Sequence, residues 1–197
     1  GCAETFKHTA TRNQRESVRQ KYGLPQRYVL QVGTIERRKN LMLTVKALSA
    51  LPADVHLVAV GRDRGYLEGV MVEAARTGVA GRIHILSGVA FDELPPIYQQ
   101  AAVIAYPSRY EGFGIPVLEG LESERPVVAA TGSCLEEAGG EAAFYVSPDS
   151  PSRRPLGPSA ASMAREWPPP PNVASIYTPS SWMARACSAS GRSAGVW

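Results

Sequence analysis

Six short apolar, β-branched runs, each parted from the next by a glycine-bearing turn and, in most cases, a stretch of helical spacing, constrain this chain more than any other feature. They cover residues 28–32, 55–60, 83–86, 103–106, 126–130 and 143–146. Runs this short and this apolar suit strands buried on both faces, and an intervening helix lets successive strands lie parallel. The helical stretches begin with 40–51, where Leu41, Val45 and Leu48 share one side, and 66–77, which Gly78 stops. Residues 91–100 follow, with Asp92 expected as cap and Pro95 and Pro96 confined to the first turn, where proline is tolerated. Residues 115–121 and a short helix near Leu135, with Ser133 placed to cap it, complete the series. The expected fold is α/β, a doubly wound parallel sheet covered on both faces. Ligands on such sheets bind beyond the carboxyl ends of the strands, where Gly33, Gly61, Gly88, Ser108 and the turn at Glu111 gather.

The segment Tyr110-Glu111-Gly112-Phe113-Gly114-Ile115-Pro116-Val117-Leu118-Glu119 sets two carboxylates either side of a glycine turn that opens a helix. Glycine lets backbone N–H groups approach a ligand without a Cβ in the way, and a helix start offers unpaired amides to anionic oxygens. One carboxylate is then placed for sugar hydroxyls and the other for ribose hydroxyls, with phosphate between them. Taken singly, Glu111 and Glu119 read as surface carboxylates, and Arg37, Arg38 and Lys39 as a solvated helix start. The glycine turns beside each of them favour function. A nicotinamide site is a poor fit, because Val117 stands where a third glycine belongs.

Length and charge narrow the partners. The 197 residues suffice for one well-packed domain, and a net charge of +3 without basic blocks gives no reason to expect nucleic acid. Three cysteines, Cys2, Cys134 and Cys187, have neither paired nor metal-ligand spacing, which fits a reducing cytoplasmic setting. The mild positive balance leaves room for weak contact with an anionic membrane surface. His8, His56 and His84 show no partner pattern; the latter two, in strands, read as structural. Cys134 reads as packing near the glycine turn. The start at Gly1, without Met or a secretory pattern, looks like an internal cut from a longer protein.

Residues 151–197 change character: rich in Pro, Ser, Arg and Ala, they carry Trp167, Trp182 and Trp197 without a pattern that would bury them. The plain reading is a disordered tail. The favoured one is translation in a shifted frame, since another frame permits a helix-like run.

Three segments, Val32-Gly33-Thr34-Ile35-Glu36-Arg37-Arg38-Lys39-Asn40, Pro107-Ser108-Arg109-Tyr110-Glu111-Gly112-Phe113-Gly114 and Pro126-Val127-Val128-Ala129, together resemble the nucleotide-binding half of the retaining group 1 (family 4) glycosyltransferases of the GT-B fold. The likeness runs from about residue 6 to residue 149. It implies a Rossmann-like donor domain over residues 1–150 and a missing upstream domain that holds a glycan or lipid-linked sugar acceptor. It also implies a nucleoside-diphosphate sugar, UDP- or GDP-linked, as donor, with no cofactor. By this resemblance Lys39 and Arg38 meet the diphosphate, Glu111 lies at the donor sugar and reaction centre, and Glu119 bonds the ribose. Gly33, Thr34, Gly61 and the main chain of Gly112, Phe113, Gly114 and Ile115 then border the donor, and Gly88 and Val89 the base. Many relatives have Arg at the position of Thr34 and Gly at that of Glu124. The chain has no Asp-x-Asp pair for a divalent ion, so metal-independent transfer is expected, with retention at the anomeric carbon. The function that follows is hexose transfer to a polysaccharide or glycolipid in the cytoplasm, at or near the inner face of the membrane. Two alternatives stay open: a non-catalytic module that only binds a nucleotide-sugar, or an epimerase or phosphorylase of the same fold.

Overall fold

A computed structural model describes residues 4–149. Its strands are β1 (Arg27–Val32), β2 (Val55–Val60), β3 (Ile83–Leu86), β4 (Val103–Tyr106), β5 (Val127–Ala130) and β6 (Phe144–Val146). All pair in parallel, in one sheet of order β3-β2-β1-β4-β5-β6. The helices are α1 (Arg12–Tyr22), α2 (Leu41–Leu48), α3 (Leu67–Arg76), α4 (Leu94–Gln100), α5 (Ile115–Glu122) and α6 (Leu135–Gly139).

Strand residues alternate between faces, and the two faces build two cores. Tyr28 and Leu30 of β1, Val58 and Val60 of β2 and Ile104 and Tyr106 of β4 pack with Val18, Ile97, Val117 and Leu135 from α1, α4, α5 and α6. On the opposite face Val29, Leu57 and Ala59 pack with Leu41, Val45, Val70 and Ala74 from α2 and α3. The expected doubly wound parallel sheet is therefore what forms, with helices on both sides. Among the described residues no helix is long and apolar enough to cross a membrane.

Three local features depart from the sequence reading, one of them Ser133, which is not the cap: α6 follows Cys134 without a side-chain cap bond, and the Ser133 hydroxyl only accepts the Leu135 N–H at 3.4 Å. Helix α1 was not anticipated: its sequence is dominated by charged and polar residues, and Val18 is its one buried residue. Its signal is the capping box, in which Thr11 Oγ1 accepts the Gln14 N–H at 3.2 Å and Gln14 Oε1 accepts the Thr11 N–H at 2.8 Å. Asp92 is not the cap of the next helix. It lies in a 3₁₀ turn, Phe91–Glu93, and α4 begins at Leu94 behind Glu93, which makes no side-chain cap bond. The reason is chemical: Pro95 and Pro96 fall at the second and third helical positions, the two whose N–H groups a cap would bond, and proline has none. The expectations for residues 151–197 lie outside the described residues.

Candidate functional site

Strand order reverses between β1 and β4, and the carboxyl ends of these two strands hold most of the expected site. β1 runs into Gly33, whose φ of +136° few L side chains adopt. The Gly33 N–H bonds the Val60 carbonyl at 2.9 Å. A Cβ on Gly61 would lie 1.9 Å from the Gly33 carbonyl oxygen, so Gly61 is glycine because the ends of β1 and β2 pass in contact. Thr34 Oγ1 donates to Glu36 Oε1 at 2.8 Å.

The 3₁₀ turn Arg37–Lys39 follows, and several bonds fix it. Asn40 turns the chain with φ +58°, a region asparagine visits more readily than most residues. Its Nδ2 donates to the Pro107 and Pro148 carbonyls at 3.1 and 2.8 Å. Gln31 Nε2, from β1, donates to the Lys39 carbonyl at 2.8 Å, while Gln31 Oε1 accepts the Thr44 hydroxyl at 2.7 Å. The Arg109 N–H bonds the Arg38 carbonyl at 3.0 Å. The basic turn and the exit from β4 are thereby tied together.

This tie brings the expected cations and the first glutamate into direct contact, a pairing the sequence reading treated as two separate contacts to a ligand. Lys39 Nζ lies 2.7 Å from Glu111 Oε1, and Arg38 Nη1 lies 2.8 Å from Glu111 Oε2. The Lys39 and Glu111 side chains are 11% and 9% exposed. Arg38 also pairs with Glu36 Oε1 at 2.7 Å, and its guanidinium lies 5.7 Å from the centre of the Tyr110 ring. Burial pushes the Glu111 carboxyl upward, but Lys39, Ser108 and Arg38 outweigh it and hold the group below its ordinary value. Glu111 is therefore a carboxylate at neutral pH. Tyr106, the last residue of β4, completes the cluster: Lys39 Nζ donates to its phenol oxygen at 2.5 Å. Burial, followed by the Glu111 charge, pushes the Tyr106 phenol well above its usual value. Neither Tyr106 nor Tyr98 was singled out from the sequence as a site residue. The signal for Tyr106 was its place at the carboxyl end of a strand flanking the switch point.

The second glutamate sits one turn inside α5 and is 7% exposed. Tyr98 donates its hydroxyl to Glu119 Oε2 at 2.7 Å. Burial raises the Glu119 carboxyl, and the Tyr98 bond only partly offsets this. α5 opens at Gly114 with φ +89°, where a Cβ would meet Leu135 Cδ2 at 2.7 Å. Gly112 differs, because a Cβ there would meet no protein atom within 4 Å. Tyr110 and Phe113 on the same loop and Ile115 at the start of α5 are exposed. Gly88 has φ +70°, while Val89 packs against the core below it. Cys134 Sγ donates to the Glu111 carbonyl at 3.1 Å, in keeping with its expected place beside the turn. Among the described residues no group of three or more His, Cys, Asp or Glu gathers as metal ligands would.

The chain is 35% identical over 137 residues to the O-antigen chain mannosyltransferase B of Escherichia coli, covering 67% of this chain and 36% of that protein. It is 30% identical over 122 residues to the O-antigen chain mannosyltransferase RfbU of Salmonella typhimurium, covering 62% of this chain and 35% of that one. The chain thus spans about a third of the length of these curated relatives. Among solved structures, Anabaena Alr3699/HepE in complex with UDP and glucose shares the fold with a TM-score of 0.67 at 21% identity, over 76% of this chain and 42% of that one. The C-terminal domain of a group 1 glycosyl transferase family protein (LpcC) from Francisella tularensis does so with a TM-score of 0.62 at 20% identity, over 76% of this chain and 82% of that one. Residues 26–153, well over half of the chain, match the family described as Glycosyl transferases group 1, and to that family the chain belongs.

Proposed function

We propose that this chain is the donor-binding domain of a retaining glycosyltransferase, which holds a nucleoside-diphosphate hexose while a second domain presents a glycan or lipid-linked acceptor. The convergence of Lys39 and Arg38 on one carboxylate at the switch point, with the buried Glu119 in the helix that follows, is the observation that carries this reading. Transfer separates an anionic diphosphate from an anomeric carbon that becomes cation-like. Two fixed cations in a site mostly shielded from water stabilise the first better than mobile solvent does. The amides at the start of α5 add to them. Glu111 is the group placed to face the sugar and the developing positive charge. The open space at Gly112 leaves its backbone approachable by a ligand. The names of the relatives favour mannose as the hexose and an O-antigen-like polysaccharide chain as the product.

The test is titration of the full chain with UDP and GDP. One of them binds, and Glu119→Ala weakens it about 10- to 150-fold, the equivalent of one hydrogen bond to a charged group. Circular dichroism of Glu119→Ala controls for loss of folding. Binding unchanged in Glu119→Ala would refute the ribose assignment. If neither nucleotide binds, there is no donor site. A module that binds without catalysing would bind the nucleotide equally well yet transfer nothing when joined to an acceptor domain.

A further inference from the structure

The cluster at the end of β4 is already neutral. Arg38 and Lys39 supply two positive charges and Glu36 and Glu111 two negative ones; Arg38 touches both carboxylates and Lys39 touches Glu111. A diphosphate entering between the cations therefore meets a carboxylate in its place. Both ligands cannot be accommodated at full strength, since like charges at contact distance repel strongly in a site as dry as this one. The two anchors of Lys39 differ in how firmly they are built. Tyr106 is 2% exposed and belongs to a paired strand and to the core, its ring centre 4.9 Å from Lys39 Nζ. Glu111 stands on the loop between β4 and α5, outside any helix or strand.

Resting on the donor-site reading above, we infer that the Glu111 carboxylate is a resident stand-in for a phosphate group, which the donor's diphosphate displaces from Arg38 and Lys39. Tyr106 is the positioning residue that keeps the Lys39 ammonium in place through the exchange. The exchange has a consequence for order: Glu111 is released toward the sugar only once the diphosphate has taken its cations, so donor binding itself frees the carboxylate. Gly33 lies alongside the Lys39 side chain, where a Cβ would make only ordinary contact with Cε at 3.4 Å, so its φ of +136° is what calls for glycine there.

The experiment is titration of the full-length chain with UDP and GDP, and with uridine and guanosine, in three forms: wild type, Glu111→Gln and Tyr106→Phe. Glu111→Gln keeps the shape and removes the competing charge, so the nucleoside diphosphate binds about tenfold more tightly, as when one charge-assisted bond ceases to compete. Tyr106→Phe weakens the nucleoside diphosphate several-fold and leaves the nucleoside unchanged, a selectivity that a merely structural defect would not produce. Circular dichroism checks the fold, and Glu111→Ala serves if the glutamine form does not fold. Equal or weaker diphosphate binding in the Glu111 variant, with the wild type binding normally, overturns the exchange alone. Equal loss of diphosphate and nucleoside binding in Tyr106→Phe, or loss of neither, overturns the positioning role. Absence of binding to the wild type removes the donor site itself and this inference with it.

Discussion

At the scale of single residues, a second contact between distant segments lies outside the Lys39–Glu111 cluster. His56 on β2 and His84 on β3 lie with Nδ1 and Nε2 2.9 Å apart. One nitrogen must donate and the other accept, so the two rings cannot both be imidazolium without turning two N–H groups on each other. Burial, then the neighbouring His56, holds His84 below its ordinary value. The folded state therefore binds fewer protons than the unfolded one, and stability present above the unfolded value near 6.5 is lost as the pH falls through the lower, folded value. Melting temperatures taken between pH 7.5 and 5.5 should fall, and fall less in His84→Gln; an identical slope in both would show that the pair is not responsible. The sequence placed both histidines in strands and read them as structural. It could not pair them, because contact across parallel strands depends on register, which is a property of the assembled sheet. The same limit hid the contact of Glu111 with Lys39, more than seventy positions away along the chain.

At the scale of elements, one turn is built three times from different residues. After α1, Leu24 N–H bonds the Arg19 carbonyl and Gly23 N–H the Gln20 carbonyl. After α3, Val79 and Gly78 bond Ala74 and Ala75 in the same way, and after α5, Arg125 and Glu124 bond Gly120 and Leu121. Each is a Schellman ending, which turns on a left-handed residue. Gly23 and Gly78 provide it at φ +59° and +74°, whereas the third turn forces Glu124 to φ +56°. An L side chain there costs about 1–2 kcal/mol, and glycine returns about 0.5–1 kcal/mol of that through the entropy of its unfolded chain. Glu124→Gly should accordingly stabilise the chain by about 0.5–1 kcal/mol, read from the midpoint of urea unfolding. A lower midpoint would mean that the Glu124 side chain contributes contacts that outweigh the strain. Element type was legible wherever apolar spacing was strong, as in β1, β2 and α2. It failed at α1, whose single buried residue leaves no period, and at the start of α4, where two prolines remove the N–H groups that a cap requires.

At the scale of the molecule, the chain aligns with about a third of its mannosyltransferase relatives, and in the reading proposed here the acceptor belongs to a separate domain. Joined behind the acceptor domain of a group 1 relative, it should transfer hexose from a labelled nucleotide-sugar, while the chain alone binds the nucleotide and transfers none. Binding without transfer in the joined protein would favour the non-catalytic module. The sequence by itself determined the class of fold and offered candidate groups for a site, because strand and helix periods are local and glycines, glutamates and a basic turn can be read in order along the chain. Only the tertiary structure decided which of those groups meet. Strand order sets β4 beside β1, and with it Glu111 and Tyr106 against Lys39 and Arg38. The partners of a buried charge are chosen by packing between distant segments, and no local pattern encodes them.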